Sequence, residues 1–213
     1  MLKTLVITGA SRGIGHALAK LASEAGHSVY ALSRNIETLE RTATLFPISI
    51  DLTDEKAIVE FADQLKEEGV VIDALINNAG ALINKPFSET SAKDFESVYR
   101  VNVFGLASLT RILIPFIELK GHVVNISSMG GLQGSSKFPG LAAYSSSKAA
   151  VNILTELLAE EYKNTGPAFN GLALGAVQTE MLEAAFPGFK APVTAQQMAK
   201  YILQFALQGQ QFY

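Results

Sequence analysis

The chain alternates between short apolar runs rich in β-branched residues and longer stretches in which apolar residues recur at helical spacing. Runs of the first kind are typical of strands, and the longer stretches are typical of amphipathic helices. The runs predict strands at residues 4–8, 28–33, 48–51, 74–77, 122–127 and 169–174. The longer stretches predict helices near residues 13–25, 35–45, 54–68, 92–119, 143–163 and 195–207.

The predicted strands indicate a parallel sheet that is covered on both faces. Their apolar residues are continuous, as expected for strands buried on two sides. The β-α-β-α order with right-handed crossovers places helices on both faces of such a sheet. Capping residues support the boundaries: Gly26 after the first helix, Asp54 before the third, and the capping-box pairs Ser91 with Asp94 and Thr194 with Gln197. We therefore predict an α/β protein with a doubly wound parallel sheet and one domain, residues 1–213.

Composition excludes several kinds of chemistry. Hydrophobic residues make up 48% of the 213 residues, so a sizeable core is feasible and disorder is disfavoured. The absence of cysteine excludes disulfides, thiolate catalysis and cysteine-based zinc sites. The three histidines lie far apart, so we expect no metal site.

Charge and hydropathy limit the classes of partner that we expect for this protein and its expected location in the cell. The formal net charge is −3 and the lysines and arginines are scattered, which argues against nucleic acid or a membrane surface as a partner. The sequence has no signal-peptide pattern and no 18-residue apolar run. We therefore expect a cytoplasmic protein.

A glycine-rich turn follows the first strand, with the sequence Thr8-Gly9-Ala10-Ser11-Arg12-Gly13-Ile14-Gly15. Glycines at such a turn let backbone N–H groups approach a pyrophosphate, and the helix N-terminus adds partial positive charge. The spacing is G-x3-G-x-G rather than the G-x-G-x-x-G of the standard dinucleotide fingerprint. The alternative explanation is a tight turn with close helix–strand packing.

The residues after the second strand indicate which dinucleotide is bound. In NAD enzymes an acidic residue there usually binds the ribose 2′-OH. This strand instead ends in Ser33-Arg34, and Arg12 lies in the glycine turn. Because a guanidinium can clamp a 2′-phosphate, the sequence favours NADP(H), with NAD(H) possible. The alternative is that both arginines are simply solvated.

Tyr144 and Lys148 lie four positions apart at the start of a predicted helix, and so on one helix face. An ammonium, together with the charge of an oxidised nicotinamide, would lower the pKa of the phenol and suit it to acid–base catalysis. Ser127 and Ser128 end a neighbouring strand, where a hydroxyl can bind a substrate carbonyl.

Two asparagine positions accompany this pair. The segment Asn77-Asn78-Ala79-Gly80 closes another strand, although it also fits an ordinary turn. Asn102 lies inside a predicted helix, where Asn is unfavourable, which indicates a local irregularity or a buried polar role.

Together these motifs resemble the short-chain dehydrogenase/reductase family. The family pattern of T-G-x3-G-x-G, N-N-A-G, helix Asn, strand-end Ser and Y-x3-K occurs in order over residues 4–179. The resemblance implies a Rossmann-type fold and a catalytic tetrad of Asn102, Ser128, Tyr144 and Lys148. In that tetrad Ser128 would position the carbonyl and Tyr144 would exchange the proton. Lys148 would bind the nicotinamide ribose and lower the Tyr144 pKa, and Asn102 would hold a relay water.

The resemblance also implies a cofactor site and an assembly. The expected cofactor-binding residues are Gly9, Ser11, Arg12, Gly13, Ile14, Gly15, Arg34, Asp51, Leu52, Asn78, Ala79, Gly80, Tyr144, Lys148, Gly175, Val177 and Thr179. A homodimer or homotetramer is expected, through the helices at 92–119 and 143–163.

The chain departs from the family pattern in four places. Ser128 and Tyr144 lie sixteen positions apart, so residues 130–142, with Phe138 and Leu141, look like a small insertion that forms a wall of the substrate pocket. Leu174 replaces the usual proline, and residues 180–193 form a short candidate lid. The seventh strand of the family sheet is expected to be short or missing.

We therefore predict an NADP(H)-dependent oxidoreductase that acts as a ketone or aldehyde reductase on a small carbonyl or alcohol substrate. The alternatives are an NADP(H)-binding sensor with little turnover, and a sugar-nucleotide epimerase or dehydratase, for which the chain has too few residues after Leu174. A highly anionic substrate is disfavoured, whereas steroid, sugar, pterin and small-ketone substrates all remain open.

Overall fold

Six parallel strands form the central sheet of the computed structural model, which describes residues 1–208. They are β1 (Thr4–Thr8), β2 (Ser28–Ser33), β3 (Leu45–Ser49), β4 (Ile72–Asn77), β5 (Ile117–Ser128) and β6 (Ala168–Leu174). Their order across the sheet is β3-β2-β1-β4-β5-β6. The winding reverses between β1 and β4, and a ligand binds beside such a reversal in open α/β sheets.

Helices cover both faces of this sheet. They are α1 (Gly13–Glu24), α2 (Glu55–Glu67), α3 (Ala92–Tyr99), α4 (Leu106–Leu113), α5 (Ala142–Tyr162), α6 (Glu180–Ala185) and α7 (Ala195–Gln208). Leu5 and Ile7 face the layer of α1 and α7, while Val6 between them faces the layer of α2 and α4. Because successive strand residues point to opposite faces, covering both faces requires the continuous apolar runs in the sequence. The predicted doubly wound α/β fold is confirmed.

The predicted caps are present where the helices begin and end. Gly26 follows α1 with a φ of 89°, and the Asp54 side chain accepts hydrogen bonds from two amides at the start of α2. Ser91 and Asp94 form a capping box at α3. At the start of α7, Thr194 and Gln197 each accept a hydrogen bond from the other's amide.

The predicted helix at 35–45 is wrong, and the following strand begins earlier than the predicted 48–51. Asn35 accepts a hydrogen bond from the Glu37 amide, and the Thr42 hydroxyl accepts one from the Leu45 amide. Side-chain bonds of this kind compete with the helical backbone ladder. Leu45–Ser49 pairs only with β2 at the sheet edge, a position that tolerates Pro47.

The single helix predicted at 92–119 is divided into several elements. After α3, a π-helical segment spans Arg100–Gly105, which confirms the irregularity expected at Asn102. After α4, a 3-10 turn that contains Pro115 ends the helix, and β5 begins at Ile117 rather than at the predicted residue 122.

The segment after β6 contains a small second sheet of two parallel strands, β7 (Val177–Gln178) and β8 (Val193–Thr194), which brackets α6 in the candidate lid. Within residues 1–208, β6 is the last strand of the central sheet; residues 209–213 lie outside the described part. In the same part, every helix is too short or too polar to cross a membrane.

Candidate active site

The glycine-rich turn brings backbone amides to the mouth of a cavity of about 970 Å³. Gly9 has a φ of 67°, and a Cβ on it would lie 2.8 Å from the Ala79 Cα. A Cβ on Gly15 would lie 2.3 Å from the Gly9 carbonyl oxygen. Arg12, the N-cap of α1, does not cap the helix with its side chain, and Gly13 and Ile14 line the cavity. Free amides at a helix N-terminus suit a pyrophosphate, so these residues fit a dinucleotide.

The turn after β4 is fixed against the glycine turn by Thr8, a residue to which the sequence assigned no role. The amides of Asn78 and Ala79 donate to the Thr8 hydroxyl over 3.0 and 2.9 Å. The Asn78 side chain donates to the Thr8 carbonyl over 2.9 Å. Thr8 directly precedes Gly9, the first glycine of the motif. This position is the only feature of the sequence that could have indicated a role for Thr8.

The end of β2 forms the part of the cavity where an adenosine ribose would lie. Ser33 donates to the Ser11 hydroxyl over 2.9 Å, which joins β2 to the glycine turn. Arg12 and Arg34 both line the cavity, and within residues 1–208 neither pairs with a carboxylate. Asp51 and Leu52 line the same region, where the Asp51 carboxylate accepts two hydrogen bonds from Thr53.

Ser128 and Tyr144 meet on the cavity wall. Ser128 ends β5, Tyr144 lies in the first turn of α5, and both residues line the cavity. Burial raises the pKa of Tyr144, and the nearby Ser128 side chain opposes this rise. Ser127, the alternative candidate, is buried and donates to the Lys148 carbonyl. The structure therefore brings Ser128, and not Ser127, to Tyr144.

Lys148 lies one turn beyond Tyr144, with its ammonium 5.9 Å from the centre of the phenol ring. Its ammonium donates to the Ile126 carbonyl over 2.8 Å. Burial lowers the pKa of Lys148 to about 8. In this geometry Lys148 is not among the causes of the Tyr144 pKa shift, so a lowering of that pKa by Lys148 stays a prediction.

Asn102 is fully buried inside the π-helical segment. Its side chain accepts from the Ala81 amide over 2.7 Å and donates to the Ala81 carbonyl over 3.0 Å. It also donates to the Ser147 hydroxyl over 2.9 Å, a partner that the sequence did not indicate. A Cβ on Gly80 would lie 3.6 Å from the Asn102 oxygen and 3.7 Å from the Lys148 nitrogen, so these two polar groups flank the same glycine.

The remaining predicted residues come from the loop after β6. Gly175, Val177 and Thr179 line the cavity, and the Thr179 hydroxyl also caps α6 by accepting from the Leu182 amide. Of all the predicted site residues, only Gly15 and Asn102 are not part of the cavity lining. In the described chain, no group of three His, Cys, Asp or Glu side chains could hold a metal ion.

Comparisons with known proteins agree with this geometry. The family model described as short chain dehydrogenase matches residues 3–188. Gluconate 5-dehydrogenase of Gluconobacter oxydans is 35% identical over 190 residues, which cover 84% of this chain and 72% of that protein. The 3-oxoacyl-(acyl-carrier-protein) reductase of Thermotoga maritima is 31% identical, over 85% of this chain and 76% of that protein.

Solved structures also show similarity to dehydrogenases of this kind. A 4-hydroxyisoleucine dehydrogenase complexed with NADH has a TM-score of 0.84 at 31% identity, over 94% of this chain and 89% of that one. A short chain dehydrogenase from Burkholderia cenocepacia in complex with NADP has a TM-score of 0.84 at 27% identity, over 96% and 84%. The chain therefore belongs to the short-chain dehydrogenase/reductase family of oxidoreductases.

Proposed function

We propose that this protein is an NADP(H)-dependent oxidoreductase that transfers a hydride between nicotinamide and a carbonyl or alcohol carbon, acting mainly as a ketone or aldehyde reductase. The observation that carries the proposal is that Ser128, Tyr144 and Lys148 line one cavity, with Lys148 one helical turn beyond Tyr144. This group lines the same cavity as the glycine turn. A substrate oxygen beside the pair can therefore lie close to a dinucleotide held by the turn.

Each residue of the group has a defined role in this proposal. The nicotinamide, when bound, supplies or accepts the hydride. Ser128 holds the carbonyl oxygen, and Tyr144 gives it a proton during reduction. Burial raises the pKa of Tyr144, so the phenol holds the proton that it would donate as the general acid in reduction. Lys148 would hold the nicotinamide ribose, and Asn102 would hold a relay water.

The preference for NADP(H) over NAD(H) rests on Arg34 and Arg12. Both residues line the cavity, Arg12 in the glycine turn and Arg34 directly after β2, where their guanidinium groups would bind a 2′-phosphate. The relatives differ in this respect, since one is complexed with NADH and another with NADP. NAD(H) is therefore the alternative cofactor, and an experiment must compare its binding with that of NADP(H).

Fluorescence titration with NADPH and NADH tests the cofactor, and a panel of carbonyl compounds then tests turnover. We expect tighter NADPH binding, and Arg34→Asp should weaken NADPH binding about 10- to 100-fold while changing NADH binding little. Arg41→Asp is the control, because Arg41 has the same charge but does not line the cavity. Equal loss of both cofactors in Arg34→Asp would contradict the role of Arg34. Tight binding without turnover would favour a sensor over an enzyme.

We also propose that copies of the chain assemble into homodimers or homotetramers. Ile153 and Leu157 are more than half exposed and lie four residues apart on α5, so they share one face. Phe104, in the π-helical segment, is also more than half exposed. Large apolar side chains that remain exposed together are typical of protein–protein contacts. A cytoplasmic location is a proposal that rests on the sequence alone.

A further inference from the structure

Three loops meet at the end of the cavity that a substrate would enter. The Asn84 side chain donates to the Ala185 carbonyl over 2.6 Å, and the Lys85 amide donates to the Gly140 carbonyl over 2.9 Å. These bonds join the loop after β4 to the candidate insertion and to the lid. The Phe138 and Phe186 rings contact each other edge to face, with centres 6.0 Å apart. The insertion and the lid therefore form one wall.

This wall is apolar. Its larger lining side chains are Ile83, Met129, Phe138, Leu141, Phe186 and Phe189. The other lining residues in segments 82–83, 129–141 and 181–189 are glycine, serine, leucine or methionine. Within the described residues, these three segments contribute no charged side chain to the cavity. The lid adds one charged lining residue, Glu180, whose carboxylate oxygen would lie 3.5 Å from a Cβ on Gly13 and so lies at the glycine turn.

The nearby cations are directed elsewhere. Lys85 forms an ion pair with Asp94 over 3.1 Å, and Lys137 donates to the Leu132 carbonyl and the Ser135 hydroxyl of its own loop. Neither lysine lines the cavity. The lining arginines, Arg12 and Arg34, belong to the glycine turn and the end of β2. Lys148, which also lines the cavity, is buried beside Tyr144 and donates its hydrogen bond to the Ile126 carbonyl. A carboxylate or phosphate on the substrate would thus lose water without gaining a counter-charge, which is unfavourable.

The aromatic rings offer surface that a substrate can cover. Phe138 is 58% exposed and Phe189 is 48% exposed although both line a cavity. Flat rings of this kind bind another ring by edge-to-face or offset stacking, in addition to the hydrophobic gain. A heavily hydroxylated molecule would need a hydrogen-bonding partner for each hydroxyl, and Ser135 and Ser136 are the lining residues of these segments that carry a hydroxyl.

We propose that the substrate is an uncharged aromatic ketone or aldehyde whose ring packs against Phe138, Phe186 and Phe189 while its carbonyl oxygen reaches Ser128 and Tyr144. This assignment rests on the proposed reductase function and adds a substrate class to it. It separates the chain from relatives whose names indicate a gluconate or an acyl-carrier-protein substrate.

The test compares acetophenone with 4-acetylbenzoate, which has the same ring and ketone plus one carboxylate, and uses 2,3-butanedione as a small neutral reference. With NADPH, we expect kcat/KM for acetophenone to exceed that for 4-acetylbenzoate by about 100-fold, because the carboxylate lacks a partner in the wall. Phe138→Ala and Phe186→Ala should lower kcat/KM for acetophenone about 10- to 100-fold and that for 2,3-butanedione less than about threefold.

Two variants sharpen the test. Phe87→Ala is the matched control, because Phe87 is exposed and does not line the cavity; it should leave all three substrates unchanged. Phe138→Lys supplies the missing cation and should raise kcat/KM for 4-acetylbenzoate. If turnover is slow, calorimetric binding of the two aromatic ketones to the NADPH-loaded protein gives the same comparison.

The outcomes separate this inference from the proposed function. Equal kcat/KM for the two aromatic ketones, or Phe138 and Phe186 variants that do not affect acetophenone, would overturn the substrate class while NADPH-dependent reduction of 2,3-butanedione still supported the reductase. A parent chain that binds no nicotinamide cofactor would overturn both.

Discussion

Replacement of Asn102 by Ala tests whether the buried π-helical segment supports the loop beside the site. The asparagine side chain makes three hydrogen bonds, two to the backbone of Ala81 and one to the Ser147 hydroxyl. A buried hydrogen bond contributes about 1 kcal/mol net, so the loss of all three should lower the free energy of unfolding by about 3 kcal/mol. Urea unfolding followed by circular dichroism should show a midpoint lower by about 1 to 1.5 M.

Asn152→Ala provides the matched control for this prediction. Asn152 lies on α5, and its buried side-chain nitrogen has no hydrogen-bond partner in residues 1–208. Its loss should therefore change the free energy of unfolding by less than about 1 kcal/mol. If Asn102→Ala costs no more than Asn152→Ala, the hydrogen bonds of Asn102 do not stabilise the fold as we infer.

Asn102→Asp separates hydrogen bonding from the cavity that alanine leaves. Aspartate preserves the volume of the side chain and can still accept from the Ala81 amide. It cannot make the two donations of the asparagine nitrogen when ionised, and it places a carboxylate next to the Ala81 carbonyl. We expect this variant to be destabilised at neutral pH at least as much as Asn102→Ala. Wild-type stability in Asn102→Asp would show that packing alone accounts for the alanine result.

Three further predictions concern catalysis, pH and assembly. Tyr144→Phe removes only the phenol hydroxyl of a residue that lines the cavity with Ser128, so turnover should fall about 100- to 10 000-fold while NADPH affinity stays the same; unchanged turnover would remove Tyr144 from its role. Burial lowers the pKa of His122 below its usual 6.5, so the contribution of His122 to the free energy of unfolding should be constant above pH 6.5 and fall below it by up to about 1.4 kcal/mol per pH unit. His122→Gln should flatten this slope between pH 5 and 6.5, and an unchanged slope would contradict the assignment. Leu157→Lys should reduce the molar mass measured by light scattering, whereas Val59→Lys, at an exposed position on α2, should not; a monomeric parent chain would refute the proposed assembly.

The sequence predicts those parts of the fold in which one local pattern determines the outcome. Leu5, Val6 and Ile7 are all buried because they face two covered sides, and this continuous apolar run is visible without a structure. The glycine turn is similarly local, since its glycines are neighbours in sequence. In contrast, β3 is an edge strand interrupted by Pro47. Before it, the Asn35 and Thr42 side chains accept hydrogen bonds from amides two and three residues further along the chain, and these bonds replace the predicted helix.

The sequence identifies the residues of the candidate site better than it identifies their surroundings. The sequence predicts that Tyr144 and Lys148 lie close together, because they are one helical turn apart. It does not indicate that Phe138 meets Phe186, because these rings come from different loops and pack only in the folded protein. The direction of the Tyr144 pKa shift is also not predictable from sequence, since it follows from the depth of burial.

A buried polar network explains how separate elements hold the site in one geometry. The Asn77 side chain at the end of β4 donates to Thr110 on α4 and to Asn125 on β5, over 3.0 and 2.8 Å. Asn125 in turn donates to Thr155 on α5 over 2.9 Å. The strand ends that carry Gly80 and Ser128 are thus tied to the helix that carries Tyr144 and Lys148. Because each buried polar group would be costly without its partner, these strands cannot shift independently of α5. The alignment of the reacting groups therefore depends on side chains that do not line the cavity, and a substitution among them can disturb catalysis without changing any group that touches the substrate.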